Sequence, residues 1–185
     1  MPLEVLGKKH NGVDIRDRFS AYKTLARKTG NPQQDCWTHI TNDSKELAQF
    51  YKKEGKHIYR VLRKTYKRAK SFNHKETDAD IEKLFRDMAD ELDISYKSRR
   101  CHKFGVNLLK EKDNLFEFVK NPDVDGTNNA AERAIRPAVI ARKIGSRSSG
   151  GAETYEILFS VLQTLHMNGQ DLLVCGSEIL LTSHG

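Results

Sequence analysis

The sequence has few of the features that mark secreted and membrane proteins. Its three cysteines, Cys36, Cys101 and Cys175, are odd in number and far apart, so they do not resemble a disulfide framework and favour a reducing cytoplasm. No apolar run approaches the roughly 20 residues that cross a bilayer. Residues 1–11 also lack the apolar core of a signal peptide. These absences predict a soluble cytoplasmic protein with no membrane partner.

What the chain has in excess is positive charge. Its 185 residues suit one domain, or one domain with a helical insertion. The net charge of +7 favours an anionic partner, and nucleic acid is the first candidate.

The most informative stretch is residues 127–147, TNNAAERAIRPAVIARKIGSR. Thr127 or Asn128 can cap a helix, and the Ala-rich run that follows favours one. Helical spacing puts Asn128, Glu132 and Arg136 on one face, beside an apolar stripe. A surface helix with a Glu132–Arg136 pair, worth only about 0.2–0.5 kcal/mol, explains this pattern without any function. Pro137 predicts a kink one turn earlier.

The order of the residues resembles a known family. NNAAERAIRP, preceded by PDVDGT and LFEFVKNP, is similar to the signature of the insertion sequence 66 (IS66) family of DDE transposases. In that family the glutamate of this motif, here Glu132, is the third acid of the catalytic triad. GVDIRD with a following AY, and then CWTH, resemble the segments around the second acid. The resemblance assigns that role to Asp17 rather than Asp14, which would point to the opposite side of a strand. Without the resemblance, Asp17 reads equally well as a loop residue that caps the next helix.

The resemblance implies an α/β fold: an incomplete ribonuclease-H-like core with few short strands and a large helical insertion, mostly helical overall. We predict a partial core over residues 1–54 that carries the second Asp, and a helical insertion over 55–113. Residues 114–169 then hold the catalytic-Glu helix and the C-terminal helix of the core. Residues 170–185 form a tail that diverges from the family pattern.

The implied chemistry is metal-dependent DNA cleavage and strand transfer during transposition of an insertion sequence. Asp17 and Glu132 are the predicted catalytic and metal-binding residues, part of a two-metal site for Mg²⁺ or Mn²⁺, since hard cations require oxygen ligands. The DNA-binding residues predicted from their positions are Asn128, Asn129, Arg133, Arg136 and Arg147. The resemblance implies that the partner is DNA, both the transposon ends and the target. It also implies a cytoplasmic protein associated with the nucleoid.

The triad's first aspartate has no counterpart in the sixteen residues that precede Asp17. We therefore expect a fragment that is inactive alone, unless a second polypeptide or another copy of the chain completes it. The alternative function is a non-catalytic DNA-binding or dimerisation module that uses the basic helical insertion.

Periodicity predicts the remaining elements. Strands are expected over 12–17 and 34–39. Helices are expected over 19–28, 43–53, 56–70, 77–92, 98–113 and 154–167, with a glycine-rich loop after Ile144. The helix over 56–70 is basic and the next one acidic, which predicts an antiparallel hairpin. The basic charge then either faces that neighbour or contacts a DNA backbone.

Cys36 and His39 have the spacing of a metal-binding pair. A zinc site needs about four ligands, and only Cys101 and His102 offer themselves as the other two. A packed cysteine and a hydrogen-bonded histidine are the simpler interpretation.

Overall fold

The computed structural model describes residues 12–17, 27–145, 148–171 and 174–175. Most of the predicted helix over 19–28, Arg147 and most of the tail lie outside these ranges. The chain divides into two compact units, Met1–Asn129 and Ala130–Gly185. The described part is mostly helical, as predicted, with two short strands. The domain boundaries at residues 54, 113 and 169 stay predictions.

The two strands of the first unit are parallel neighbours. Strand β1 is Asp14–Arg16 and strand β2 is Gln33–Asp35, with Ile15 opposite Gln34. The strand predicted over 12–17 is confirmed. The strand predicted over 34–39 is wrong beyond Asp35, because Trp37 already begins a helix and Ile40 N–H bonds the Cys36 carbonyl.

Five α-helices follow β2 in the first unit. They are α1 (Trp37–Phe50), α2 (Glu54–Lys70), α3 (Asp78–Leu92), α4 (Arg99–Leu109) and the short α5 (Glu117–Lys120). Local capping explains two of the starts: Thr77 and Asp80 form a capping box before α3, and the Ser98 hydroxyl accepts from Cys101 N–H before α4. The predicted helices over 56–70 and 77–92 are confirmed. The helix predicted over 43–53 begins six residues earlier, and the one over 98–113 ends at Leu109.

One apolar core runs through all of these helices. Trp37 is fully buried in this core and stacks on Tyr66 of α2, with the two ring centroids 5.1 Å apart. The ring centroids of Trp37 and Phe116 are 5.7 Å apart. The strand region and the helical insertion therefore share one core. Its buried members include Ile40, Ile58, Leu62, Leu84, Met88, Leu92, Leu108, Leu115 and Phe118.

Helices α2 and α3 form the predicted antiparallel hairpin with matched charges. Lys64 Nζ lies 2.6 Å from a carboxylate oxygen of Glu91, and Arg68 Nη1 lies 2.6 Å from one of Asp87. Both pairs are well exposed, so each is worth at most about 1 kcal/mol. They set the pairing of the two helices while the apolar side chains beneath supply the stability.

Helix α6 is Asn129–Gly145, with Pro137 inside it, and helix α7 is Ser149–Met167. Apart from Asn129, both helices lie in the second unit. The loop between them is shorter than predicted, because Gly150 and Gly151 already belong to α7 and the Ser148 hydroxyl accepts from Gly151 N–H. Helix α7 ends at Asn168–Gly169 as predicted, with Gly169 at φ 69°. Among the helices described, none combines the length and apolar character needed to span a bilayer.

The close crossing of α1 and α2 depends on Gly55. A Cβ at this position would overlap the Leu47 carbonyl and lie 2.7 Å from the Ala48 nitrogen, both of them backbone atoms of α1. A backbone atom cannot rotate away as a side chain can. Any larger residue at position 55 therefore pushes the two helices apart.

We predict that Gly55→Ala destabilises the protein by about 1–3 kcal/mol or more, as overpacking of a filled core does. Urea unfolding followed by circular dichroism measures this. The matched control is Gly105→Ala in α4, where the added Cβ meets only a Tyr96 ring carbon at 3.9 Å. That change should be neutral or stabilise by up to about 1 kcal/mol through helix propensity. Equal effects of the two substitutions would contradict the role assigned to Gly55.

Candidate catalytic site at the strand ends

Asp17 is exposed and directly follows β1, as the sequence predicts. Its neighbour Arg16 is only 2% exposed, although its side chain ends in a guanidinium. Because side chains alternate along a strand, burial of Arg16 directs the next residue to the opposite face. The way Arg16 is buried therefore determines where the Asp17 carboxylate lies.

Arg16 is held between two carboxylates. Its Nε lies 2.6 Å from Oδ1 of Asp35, which is fully buried at the end of β2, and its Nη2 lies 2.9 Å from Oε2 of Glu111. Asn114 Nδ2 donates to the same Glu111 oxygen at 3.0 Å. A buried guanidinium requires such partners, since taking an ion out of water without compensation is costly. The arrangement links both strands to the segment after α4.

Sequence reasoning missed this ion network. The alternation of Val13 and Ile15 suggested that their face was the inner one, whereas both are only half-buried and Arg16 is buried. The one available signal was an arginine inside a strand with an acid at the end of the next. Nothing in the spacing identified Glu111, which is 95 residues away.

The strand ends also hold the backbone that leads into α6. Cys36 N–H donates to the Arg16 carbonyl at 2.8 Å, and Trp37 N–H donates to the Gly126 carbonyl at 2.9 Å. Asn128 N–H lies 3.4 Å from Cys36 Sγ. We call these residues (16–17, 36–37 and 126–128) the strand-end region. Asn128, the first asparagine of the motif, is thus fixed beside the carboxyl ends of both strands.

Side-chain hydrogen bonds fix the segment just before Asn128. The Asp125 carboxylate accepts from Thr127 N–H at 3.0 Å and from the Thr127 hydroxyl at 3.1 Å. The Thr127 hydroxyl therefore donates its hydrogen to Asp125. The Oδ1 atom of Asn128 is buried, and no described residue donates a hydrogen bond to it. A buried amide oxygen of this kind is available to a ligand.

Gly126 allows the close approach of this segment to α5. A Cβ there would lie 3.1–3.2 Å from ring carbons of Phe118, tighter than ordinary van der Waals contact. The segment over Leu115–Phe118 is itself attached to β2 and α1: the Leu115 carbonyl accepts from Gln34 Nε2 and Trp37 Nε1, and Phe118 N–H donates to Gln34 Oε1.

Tyr66 lies at the border of this region. Burial raises the pKa of its phenol above the usual value, and the charge of Asp125 and the nearby Cys36 raise it further. The phenol therefore stays protonated at physiological pH and keeps its donor hydrogen.

The zinc interpretation gains no support. Across the described ranges, no group of three or more His, Cys, Asp or Glu side chains is arranged to hold a metal ion. Cys36 Sγ faces the Asn128 backbone amide. Burial raises the pKa of the Cys101 thiol, which disfavours the thiolate that zinc requires. His102 is exposed.

The other predicted site residues lie around the start of α6. Asn129 is its first residue, and Glu132, Arg133 and Arg136 are exposed on it. Asn128 and Asn129 belong to the first unit, and the other three belong to the second. Arg147 lies outside the described residues.

Comparison with known proteins places this chain among transposases. Residues 1–154 match the model described as "Transposase IS66 family", so the chain belongs to that family and the resemblance noted in its motifs is confirmed. The uncharacterized protein y4qI of Sinorhizobium fredii is 27% identical over 196 residues, a match that covers 92% of this chain and 35% of that protein. The chain thus spans about a third of the length of this relative. No solved structure is significantly similar.

We predict that Arg16→Met destabilises the protein by about 3–5 kcal/mol, because it breaks the buried ion pair between Arg16 and Asp35 by removing one partner. The matched control is Arg68→Met, which removes an Arg–Asp pair of the same 2.6 Å length at an exposed position. That control should cost no more than about 1 kcal/mol. Urea unfolding of both variants measures the difference. A loss at Arg16 as small as that at Arg68 would show that the buried network contributes little.

Proposed function

We propose that this chain supplies two carboxylates, Asp17 and Glu132, of the cation site of a DDE transposase with a ribonuclease-H-like core. The proposed reaction of the whole protein is cleavage and strand transfer of DNA during transposition. The observation that carries the proposal is the position of Asp17 directly after a parallel strand, in a chain whose first 154 residues match a transposase family. Membership of that family implies DNA as the partner.

The chemistry of the available donors fits a magnesium or manganese ion. Such hard cations take oxygen ligands, and the candidates are the exposed carboxylates of Asp17 and Glu132 together with the buried amide oxygen of Asn128. When bound, a divalent cation would neutralise charge that develops on phosphate oxygens during exchange of a phosphodiester.

The remaining motif residues have roles suited to a polyanionic substrate. Arg133 and Arg136 are exposed on α6, and their guanidinium groups can donate pairs of hydrogen bonds to phosphate oxygens. Asn129 can donate an amide hydrogen to sugar or phosphate. We assign Arg147 the same phosphate-binding role from its place in the sequence alone.

Three residues of the strand-end region position the site without taking part in its chemistry. Cys36, Trp37 and Gly126 hold Asn128 at the carboxyl ends of the strands through backbone hydrogen bonds. Glu132 follows Asn128 by four residues in the sequence. Positioning of the reacting groups is what catalysis of phosphoryl transfer depends on.

The proposal predicts that Asp17→Asn and Glu132→Gln each weaken Mn²⁺ binding. Each loss should exceed the roughly tenfold that removal of an outer-shell partner of a metal ligand costs. The double variant should lose less than the product of the two single losses, because residues that share one ion do not act independently. Electron paramagnetic resonance of unbound Mn²⁺ during titration measures the affinities.

The control pair is Asp93→Asn and Glu153→Gln, which removes the same charges from exposed positions on α3's C-terminal side and on α7. This pair should leave Mn²⁺ binding unchanged. Full retention of binding in Asp17→Asn or Glu132→Gln, or an equal loss in the control pair, rejects the shared cation site.

A further inference from the structure

Helix α2 presents three different faces. One face enters the core through Ile58, Leu62 and Ala69. A second faces α3, where Lys64 and Arg68 pair with acids and His57 Nε2 lies 2.7 Å from the Glu91 carbonyl. The third face points away from both. It carries four exposed cations: Arg60, Arg63, Lys67 and Lys70.

These four cations lie close together. At 3.6 residues per turn they fall within about 80° around the helix axis, and at a rise of 1.5 Å per residue they span about 15 Å. None of the four makes an ion pair with a carboxylate of any described residue. Like charges three and four residues apart destabilise a helix. The arrangement therefore carries a cost that core packing does not require.

The third face forms one wall of a groove of about 710 Å³. We call it the α2 groove. No described residue that lines it is acidic, and its walls also hold two tyrosines and a threonine. The lining residues are Thr41, Tyr59, Arg60, Arg63, Lys64, Tyr66, Lys67 and Lys70.

Two of the four cations make cation–π contacts with tyrosine rings. The guanidinium carbon of Arg63 lies 5.7 Å from the ring centroid of Tyr59, and Lys70 Nζ lies 5.7 Å from that of Tyr66. Tyr66 is itself fixed by its stack on Trp37, so this part of the wall is preorganised. Both phenols can donate a hydrogen bond to a phosphate oxygen.

The positive surface continues past the groove. Arg60 also lines the neighbouring depression, together with Lys52, Lys53 and Lys97. The single carboxylate there, Glu54, accepts hydrogen bonds from the backbone N–H groups of Lys97 and Ser98 and is occupied by them. Cations thus extend from Lys52 and Lys53, just before α2, to Lys70 at its end.

We propose that the α2 groove binds the phosphate backbone of double-stranded DNA. Four cations over about 15 Å match about four nucleotides at 3.4 Å of rise along one strand. The contacts are to phosphate, so the groove would position DNA without reading its sequence. The choice of DNA as the ligand rests on the proposed function and on membership of a transposase family. The arrangement of the cations is an observation that does not depend on the proposed function.

The test compares two double variants that remove the same charge. Arg63→Gln with Lys67→Gln alters the groove, and Lys83→Gln with Arg86→Gln removes one lysine and one arginine from exposed positions on α3. Binding to a fluorescent 20-base-pair duplex of arbitrary sequence is measured by anisotropy between 50 and 300 mM salt. The slope of log affinity against log salt is negative, and each lost phosphate contact reduces its magnitude by about 0.9.

We expect the groove variant to lose about 1.8 from that slope and at least about tenfold in affinity at low salt. The α3 variant should keep the slope of the original protein. Equal losses in the two variants would show that only total charge matters, and would overturn the assignment. Unchanged binding in the groove variant would also overturn it.

Two further measurements keep the test decisive. If circular dichroism shows that the groove variant is unfolded, Arg60→Gln with Lys70→Gln tests the same face and has the same expected result. Polyglutamate that displaces the duplex at equal charge concentration would assign the groove to an acidic protein instead. The duplex assay contains no divalent cation and the Mn²⁺ titration contains no DNA, so a failure of the cation site and a failure of the groove give different results.

Discussion

The buried guanidinium of Arg16 is the interaction on which the strand region depends. Two strands of three residues each are too short to be stable by themselves. Arg16 joins them by its contact with Asp35 and attaches both to the segment after α4 by its contact with Glu111. Buried ion pairs add little net stability compared with apolar packing, but they tolerate few alternative arrangements, because every other register leaves a charge without a partner. The network thus fixes which face of β1 is buried and which face carries Asp17.

The aromatic stack of Trp37 on Tyr66 joins the helices to the strand region. Trp37 begins α1 directly after β2, its indole donates to the Leu115 carbonyl, and its ring packs against α2. The helical insertion is therefore continuous with the strand region and cannot be removed without opening the core. Tyr66 belongs at once to this core, to the electrostatic neighbourhood of Asp125 and to the wall of the α2 groove.

The sequence predicts the elements whose information is local. Helices α2 and α3 follow from apolar spacing, and their pairing follows from opposite charge. The end of β2 was wrong because Cys36 and Trp37 favour a strand by composition, whereas the Gly126 carbonyl and the Leu115 carbonyl hold Trp37 at a helix start. The loop after Ile144 was predicted too long because two glycines suggested a turn, while the Ser148 hydroxyl caps a helix that includes them.

The Arg16 network depends on a residue 95 positions away, which no local pattern can indicate. For the candidate site, the motifs predict roles for Asp17 and Asn128, but they do not predict the contacts around these residues.

Helix α2 carries more positive charge than its pairing with α3 uses. An exposed ion pair contributes little, so two of them suffice to orient the hairpin, and further cations on the same helix add nothing to that pairing. The cations that remain lie away from α3, where they repel one another unless an anion is present. Because Tyr66 links their groove to Trp37, a DNA strand held there would be positioned by the same core that supports β2 and, through Arg16, Asp17. The positions of the substrate and of the Asp17 carboxylate would then depend on one core, and fixed positions of this kind are what lets a cation site act on a defined phosphate.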